Sequence, residues 1–396
     1  MPMKQQHAKI VWAIAAVTIA ATAVVYSETA RPPQLPQVRL VRTPESGIQP
    51  QTVVDRRGVL HMIYFTGDAA AGNIEYVQRA PGAKEFSKPI RVNSQPGSAL
   101  AVGTVRGPQM AAGADGQVNV VWFGSEKATP RGPAGSTPLL FSRLNASGTA
   151  FTPQRNLVEY AKGLDGGLSV AADQKGDVYV VWHATGKAPG EANRRVYLAR
   201  STNSGRTFSR EVPVSPAELG ACGCCGMRAF VDGRGALFVL YRAAAEAIHR
   251  NMTLLVSTDR GHTFRASEVS AWQLNACPMS TAYLSEGDRQ VLAAWEKAGE
   301  VYFDTVNRQT FKLSSSFAAP GHGNDRKHPA VAANSHGDVL LAWTEGTGWK
   351  QGGSLAWQLF DKSGQPLGSV GHAPGVPVWG MPSVYTGPDG NFTIIY

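Results

Sequence analysis

The chain has 396 residues, enough for two average domains, and its 43% apolar fraction suffices for a buried core. Charged residues make up only 17%, while 43 Gly and 25 Pro supply tight turns, the composition of a turn-rich all-β protein. The net charge of +9 favours acidic partners such as anionic sugars or membrane surfaces. Lys and Arg are nevertheless scattered, with no run of five or six like charges and no nucleic-acid motif, which excludes nucleic acid as a partner.

At the N-terminus, Lys4 and Lys9 precede an apolar run from Ile10 to Tyr26, and Ser27-Glu28 returns to polar sequence. The run sits at the short limit for a membrane span, and its positive flank places the remainder of the chain outside the cytoplasm. Residues 1–30 therefore read as a signal peptide or an N-terminal membrane anchor. Ala21-Thr22-Ala23 offers a cleavage site, yet Val24 and Val25 continue the run, so both alternatives stand. Either makes the protein exported, periplasmic or extracellular, and touching a membrane only through this segment.

Residues 31–396 carry one repeated unit. A Pro or Gly, a short apolar strand, a polar turn and a second strand ending near an aromatic recur at 50–65, 108–123, 167–183, 226–242, 278–296, 329–345 and 382–396. Their first residues lie 58, 59, 59, 52, 51 and 53 positions apart, as expected for one supersecondary unit per repeat. Each copy reads as the two inner strands of a four-stranded antiparallel propeller blade, with turn glycines such as Gly58, Gly116, Gly176 and Gly235 supplying positive φ. The seventh copy stops at Tyr396 without outer strands, and Val38-Arg39-Leu40-Val41 is placed to complete it and remove an open edge. The expectation is an all-β, seven-bladed β-propeller closed by its N-terminal strand, with six blades as the alternative.

Two turns between third and fourth strands carry a family resemblance. Ser257-Thr-Asp259-Arg-Gly261-His-Thr263-Phe264 matches the Asp-box pattern S-x-D-x-G-x-T-F/W, and Ser201-Thr-Asn203-Ser-Gly205-Arg-Thr207-Phe208 matches it with Asn for Asp. On these residues the chain, over 37–396, resembles the sialidase-like superfamily of propellers, whose members usually have six blades. Within these boxes the Asx side chain caps the turn, Gly takes the left-handed conformation and the aromatic packs inward, a structural role. Cys222-Gly-Cys224-Cys225-Gly-Met227-Arg228, Cys277-Pro-Met279, Arg326-Lys-His328-Pro329 and Trp343-Thr-Glu345-Gly-Thr-Gly-Trp349 are similar to segments of bacterial exported exo-alpha-sialidase-like proteins of unproven activity.

Residues just before each first strand and just after each second strand converge on one mouth of a propeller channel, where ligands usually bind. Here that set includes Cys222, Cys224, Cys225, Met227, Arg228, Cys277, Met279, Arg326, Lys327, His328, Trp379 and Met381 ahead of first strands. After second strands come His183, Arg242, Glu296, Glu345 and Trp349. The resemblance to sialidases implies an arginine clamp on a substrate carboxylate, a carboxylic acid, and a tyrosine nucleophile. Arg228, Arg242 and Arg326 are the candidates for the clamp, Glu296 or Glu345 for the acid or base, and Tyr241 for the nucleophile. His183, Lys327, His328, Trp349 and Trp379 are candidate ligand contacts, the last two for sugar stacking. The chain departs from sialidases at the first inner strand, where Ile48-Gln49-Pro50-Gln51 replaces the F/Y-R-I-P motif and its arginine.

The four cysteines are a second candidate centre. Disulfides are expected in an exported chain, but Cys277 pairs with only one of Cys222, Cys224 and Cys225. With Met227, Met279 and His328 nearby the sulfurs also form a soft ligand set for Cu(I) or Zn(II), and a redox-active thiol is a third option. The two functional readings are a mouth binding a glycan or other anionic small ligand, with glycoside hydrolysis as its catalytic form, and a non-catalytic binding or scaffold propeller stapled or metallated through its cysteines.

Overall fold

The computed structural model describes residues 1–2, 35–287, 290–313, 315–323 and 325–396. The apolar run read as a signal or anchor lies outside the described residues; among these, no helix is long and apolar enough to cross a membrane. The unit Pro36–Tyr396 is a ring of seven sheets, six of four strands and one of three. The innermost strands are Ile48–Val54, Gln109–Ala112, Leu168–Ala172, Arg228–Val231, Ala282–Glu286, Arg326–Ala333 and Ser383–Thr386. Each overlaps one predicted copy. The chain is a seven-bladed β-propeller.

The closing blade has three strands. Val38–Val41 pairs in parallel with Phe392–Ile395, which pairs antiparallel with Ser383–Thr386. Arg42 clamps the junction from outside, its guanidinium 3.9 Å from the Tyr396 ring and donating to the carbonyls of Pro374 and Gly375 in the preceding blade.

Second strands such as Val118–Phe123, Val178–Ala184 and Leu237–Arg242 are buried along their whole length, because each blade packs on both neighbours. Trp122, Trp182, Trp295 and Trp343 end equivalent strands, and all four are fully buried in the clusters between blades. The two box turns fasten neighbouring blades together. Asp259 accepts from the Thr263 N–H and the Thr263 hydroxyl, Ser257 Oγ accepts from the Gly261 N–H, and Phe264 packs on the cluster between blades three and four. In the other box Asn203 accepts from the Thr207 N–H and donates to the Thr207 hydroxyl, Ser201 Oγ accepts from the Gly205 N–H, and Phe208 stands edge-on to Phe141 at 4.9 Å. Arg260 of the fourth-blade turn grips buried Asp177 of blade three through two bonds of 2.6 and 2.7 Å.

Leu40 packs against the cluster that spans the last blades, whereas Arg39 on the same strand faces solvent. Leu40→Asp should therefore cost about 2 kcal/mol and lower the thermal midpoint by several degrees, while Arg39→Ala stays within about 0.5 kcal/mol. Thermal unfolding followed by circular dichroism measures both; an unchanged midpoint for Leu40→Asp would mean that this strand does not hold the ring shut.

Candidate functional site

The turns between first and second strands lie on one face of the ring. The connections that carry the candidate residues lie on the other. On that second face the channel is closed. The connection from blade one to blade two crosses it, with Thr104 and Val105 buried against Gln51, Met227, Arg228, His328 and Met381 around a cavity of about 30 Å³. That is room for about one or two waters. Gln49, fully buried, ties the plug down by donating to the carbonyls of Ala101 and Trp379 at 2.7 and 3.0 Å. Four non-glycine residues beside this plug, Gln49, Met279, His328 and Trp379, have φ between 48° and 63°, a costly backbone state that tertiary contacts hold in place. The channel opens instead on the turn face, as a cavity of about 900 Å³ whose lining includes Arg228 and Tyr283.

The three arginines do not form a clamp. Arg228 lies inside the channel, only 8% exposed, donating to Gln51 and Gln109 at 2.5 and 2.7 Å with its guanidinium 4.8 Å from the Tyr283 ring. Arg242 donates to Ser280 Oγ and to the carbonyls of Arg250 and Glu296, under Trp272. Arg326 is bound to Glu300, Glu345 and the carbonyls of Ala319 and Pro320, over Trp343. No two of them share a partner, and no one substrate carboxylate is presented with all three. Nor does Tyr241 reach a glutamate. It is buried in the cluster between blades three and four. Burial raises its pKa far from any nucleophilic range.

Glu345 accepts from Trp343 Nε1 at 2.8 Å and pairs with Arg326 and His372. Glu296 is buried, and burial lifts its carboxyl above the ordinary range against the pull of Arg242 and Lys327. The Lys327 ammonium donates to the Pro278 carbonyl. His183 Nε2 accepts from the Gly167 N–H at 2.8 Å, with the Cys225 carbonyl and Arg194 against the ring. His328 Nδ1 lies 3.4 Å from the Thr281 hydroxyl. Burial, then the nearby positive charge of Arg194 or Lys327, pushes both histidines down to about 3.

Two groupings do form. Trp349, 57% exposed, stands edge-on to Trp379 at 4.8 Å, and Gly103 of the plug lies beneath it beside Arg106. Arg106 in turn pairs with Asp165 at 2.5 Å. The cysteines form the second grouping. Cys224 and Cys277 are joined in a disulfide, and the buried thiols of Cys222 and Cys225 lie 3.0 Å apart. The three sulfurs of Cys222, Cys224 and Cys225 all lie within 4.8 Å of one another, close enough to share one metal ion. Met279 packs against them. Their loop is gripped from several blades: the Glu191 carboxylate accepts from the Gly223 N–H, the Arg242 carbonyl from the Cys222 N–H, and the Ser280 carbonyl from the Gly226 N–H. Gly166 and Gly167 press on the loop so closely that a Cβ at either would sit 2.8 Å from its carbonyls. For Cys225 burial opposes ionisation, but the hydrogen bond from Cys222 and the charge of Arg242 win, bringing its thiol down to about 7; that same bond, then burial, drives Cys222 up.

Sequence reasoning missed the plug, Gln49, Gln51, Gln109 and Tyr283. Gln51, Gln109, Arg228 and Tyr283 each stand four residues before the residue whose N–H closes the first hairpin turn (Asp55, Gly113, Asp232 and Gly287). Aligning the copies on that turn would have put them in one layer.

No family model matches the chain, and no curated protein matches it. Solved structures do. A protein of unknown function from Dyadobacter fermentans is 14% identical, with a TM-score of 0.52 over 78% of this chain and 94% of that one. An alpha-L-arabinanase of Penicillium chrysogenum, complexed with arabinobiose, is 12% identical, with a TM-score of 0.52 over 84% and 99%. A Hadza microbial sialidase is 14% identical, with a TM-score of 0.49 over 80% and 69%. The first two likenesses are of fold.

The histidines carry a pH prediction. With folded pKa values near 3 against an ordinary 6.5, the unfolded chain binds more protons as pH falls through that window, so stability drops on acidification. Each contributes up to about 1.4 kcal/mol per pH unit within it. In NMR titrations of the folded protein the His183 and His328 rings should stay neutral down to pH 5; a midpoint near 6.5 for either would contradict its burial.

Proposed function

We propose that this is an exported propeller that binds a carbohydrate on its plugged face, with the exposed Trp349 ring as the stacking platform. The observation that carries the reading is that platform itself: a large aromatic left 57% exposed, propped by Trp379 and flanked by the Arg106–Asp165 pair. Flat apolar sugar faces stack on such rings, while a guanidinium and a carboxylate beside them select hydroxyls or acidic groups. An arabinanase of similar fold, solved with arabinobiose, supports this reading. Export follows from Lys4, Lys9 and the apolar run after them. Binding is favoured over sialidase-type hydrolysis because the guanidinium groups and Tyr241 are committed elsewhere. Glycan-array screening followed by calorimetry tests this. Trp349→Ala should weaken the best hit by about five- to thirtyfold, as loss of one stacked ring costs on the order of 1–2 kcal/mol; no binding to any glycan, or an unchanged constant for the variant, would end the proposal.

A second reading rests on the sulfurs. With the Cys224–Cys277 bond reduced, Cys222, Cys224 and Cys225 offer three thiolates, with the Met279 thioether alongside, a donor set suited to Cu(I) or Zn(II). With that bond intact only two thiolates remain. Reduced protein should bind one equivalent of Cu(I), seen as thiolate-to-copper absorbance, and Cys222→Ser should weaken it at least about tenfold because one of three ligands is gone. Equal affinity in the reduced and disulfide forms would rule out a three-sulfur site.

A further inference from the structure

The four cysteines are arranged as a series. Cys277 is exposed and bonded to Cys224, which is buried. Cys222 Sγ lies 3.5 Å from Cys224 Sγ and 3.0 Å from Cys225 Sγ. Sulfur thus leads from solvent to interior in three steps, and each unbonded pair is near van der Waals contact. Cys222 and Cys225 also have C-x-x-C spacing, which suits a dithiol that closes to a disulfide.

We propose that this cluster is a thiol–disulfide relay, in which the bridge passes from Cys224–Cys277 to Cys222–Cys225 and leaves Cys277 as a surface thiol that reduces an external disulfide. In the first step the Cys222 sulfur bonds to Cys224 and its proton is released to solvent. The Cys224–Cys277 bond breaks, its electron pair leaves with Cys277, and solvent protonates that thiolate. In the second step Cys225 bonds to Cys222, Cys224 departs, and the proton held by Cys225 passes to it. One S–S bond has broken, one has formed, and no oxidant is consumed. Cys277 then attacks an external disulfide, releasing one thiol; Cys224 displaces the second thiol and restores its own bond to Cys277. The external disulfide has gained two electrons, and the protein now holds both bridges.

The surroundings fit this order. Ser280 Oγ donates to Cys225 Sγ at 3.7 Å and itself accepts from Arg242, which holds the Cys225 sulfur in place 3.0 Å from that of Cys222. The proposal depends on neither the carbohydrate nor the metal reading, and chelator in every buffer keeps metal out of the test.

Fully reduced protein is given one equivalent of diamide, so that each molecule holds one disulfide, and is then alkylated without denaturant. Wild type should label at Cys277, and the peptide holding Cys222, Cys224 and Cys225 should retain an internal disulfide by mass spectrometry. Cys222→Ser should label at Cys277 at least tenfold more slowly, with circular dichroism confirming its fold; Cys222→Ala serves if the serine variant fails to fold. Oxidised glutathione and a disulfide-bonded peptide, offered separately to the relayed form, distinguish a small disulfide from a polypeptide one, and a mixed disulfide at Cys277 with either supports the relay. An unlabelled Cys277 in wild type, equal rates in wild type and variant, or no mixed disulfide with either probe would overturn it.

Discussion

Closure of the ring is the constraint on which every other feature of the molecule depends. Each blade is apolar on both faces and needs a neighbour on each side, so the first and last must meet. The parallel pairing of Val38–Val41 with Phe392–Ile395 makes that meeting. Once the ring is shut, residues far apart in the chain become direct partners. Gln49 donates to the Trp379 carbonyl 330 residues away, and Arg228 is held between Gln51 and Gln109 from two other blades. The plug, the aromatic platform and the sulfur cluster all sit on connections anchored by this closure.

Buried Arg228 shows how the centre is stabilised without ion pairing. A guanidinium in the channel would be costly alone, and two glutamine oxygens together with the Tyr283 ring offset that cost. Arg242 and Arg326 are satisfied by carbonyls and local carboxylates instead. The same residue type serves three separate structural tasks, and an arginine count at the rim therefore overstates the capacity to hold one anionic substrate.

The cysteine loop is the place where fold and chemistry meet most directly. Glycines on the neighbouring connection let two backbones touch, and the bonds to Glu191, Arg242 and Ser280 fix the loop so that three sulfurs share one small volume. Cys277, exposed where the other three cysteines are buried, gives that volume a contact with solvent.

Blade number, inner strands and the packing tryptophans were legible in the residues, because period, turn chemistry and apolar runs are local signals repeated seven times. That the rim residues share one face was also legible, since alternation of strand direction dictates it. Which of them touch was not. Whether Arg228 joins Arg326 or turns into the channel depends on side-chain packing across blades, and Tyr241 faces the interblade cluster because neighbouring residues on a strand point oppositely. Likewise, sequence limited Cys277 to one partner among three, but only the folded loop selects Cys224 and leaves Cys222 beside Cys225. Local pattern determined the ring; long-range contact geometry, which no single segment encodes, decided what its rim can do.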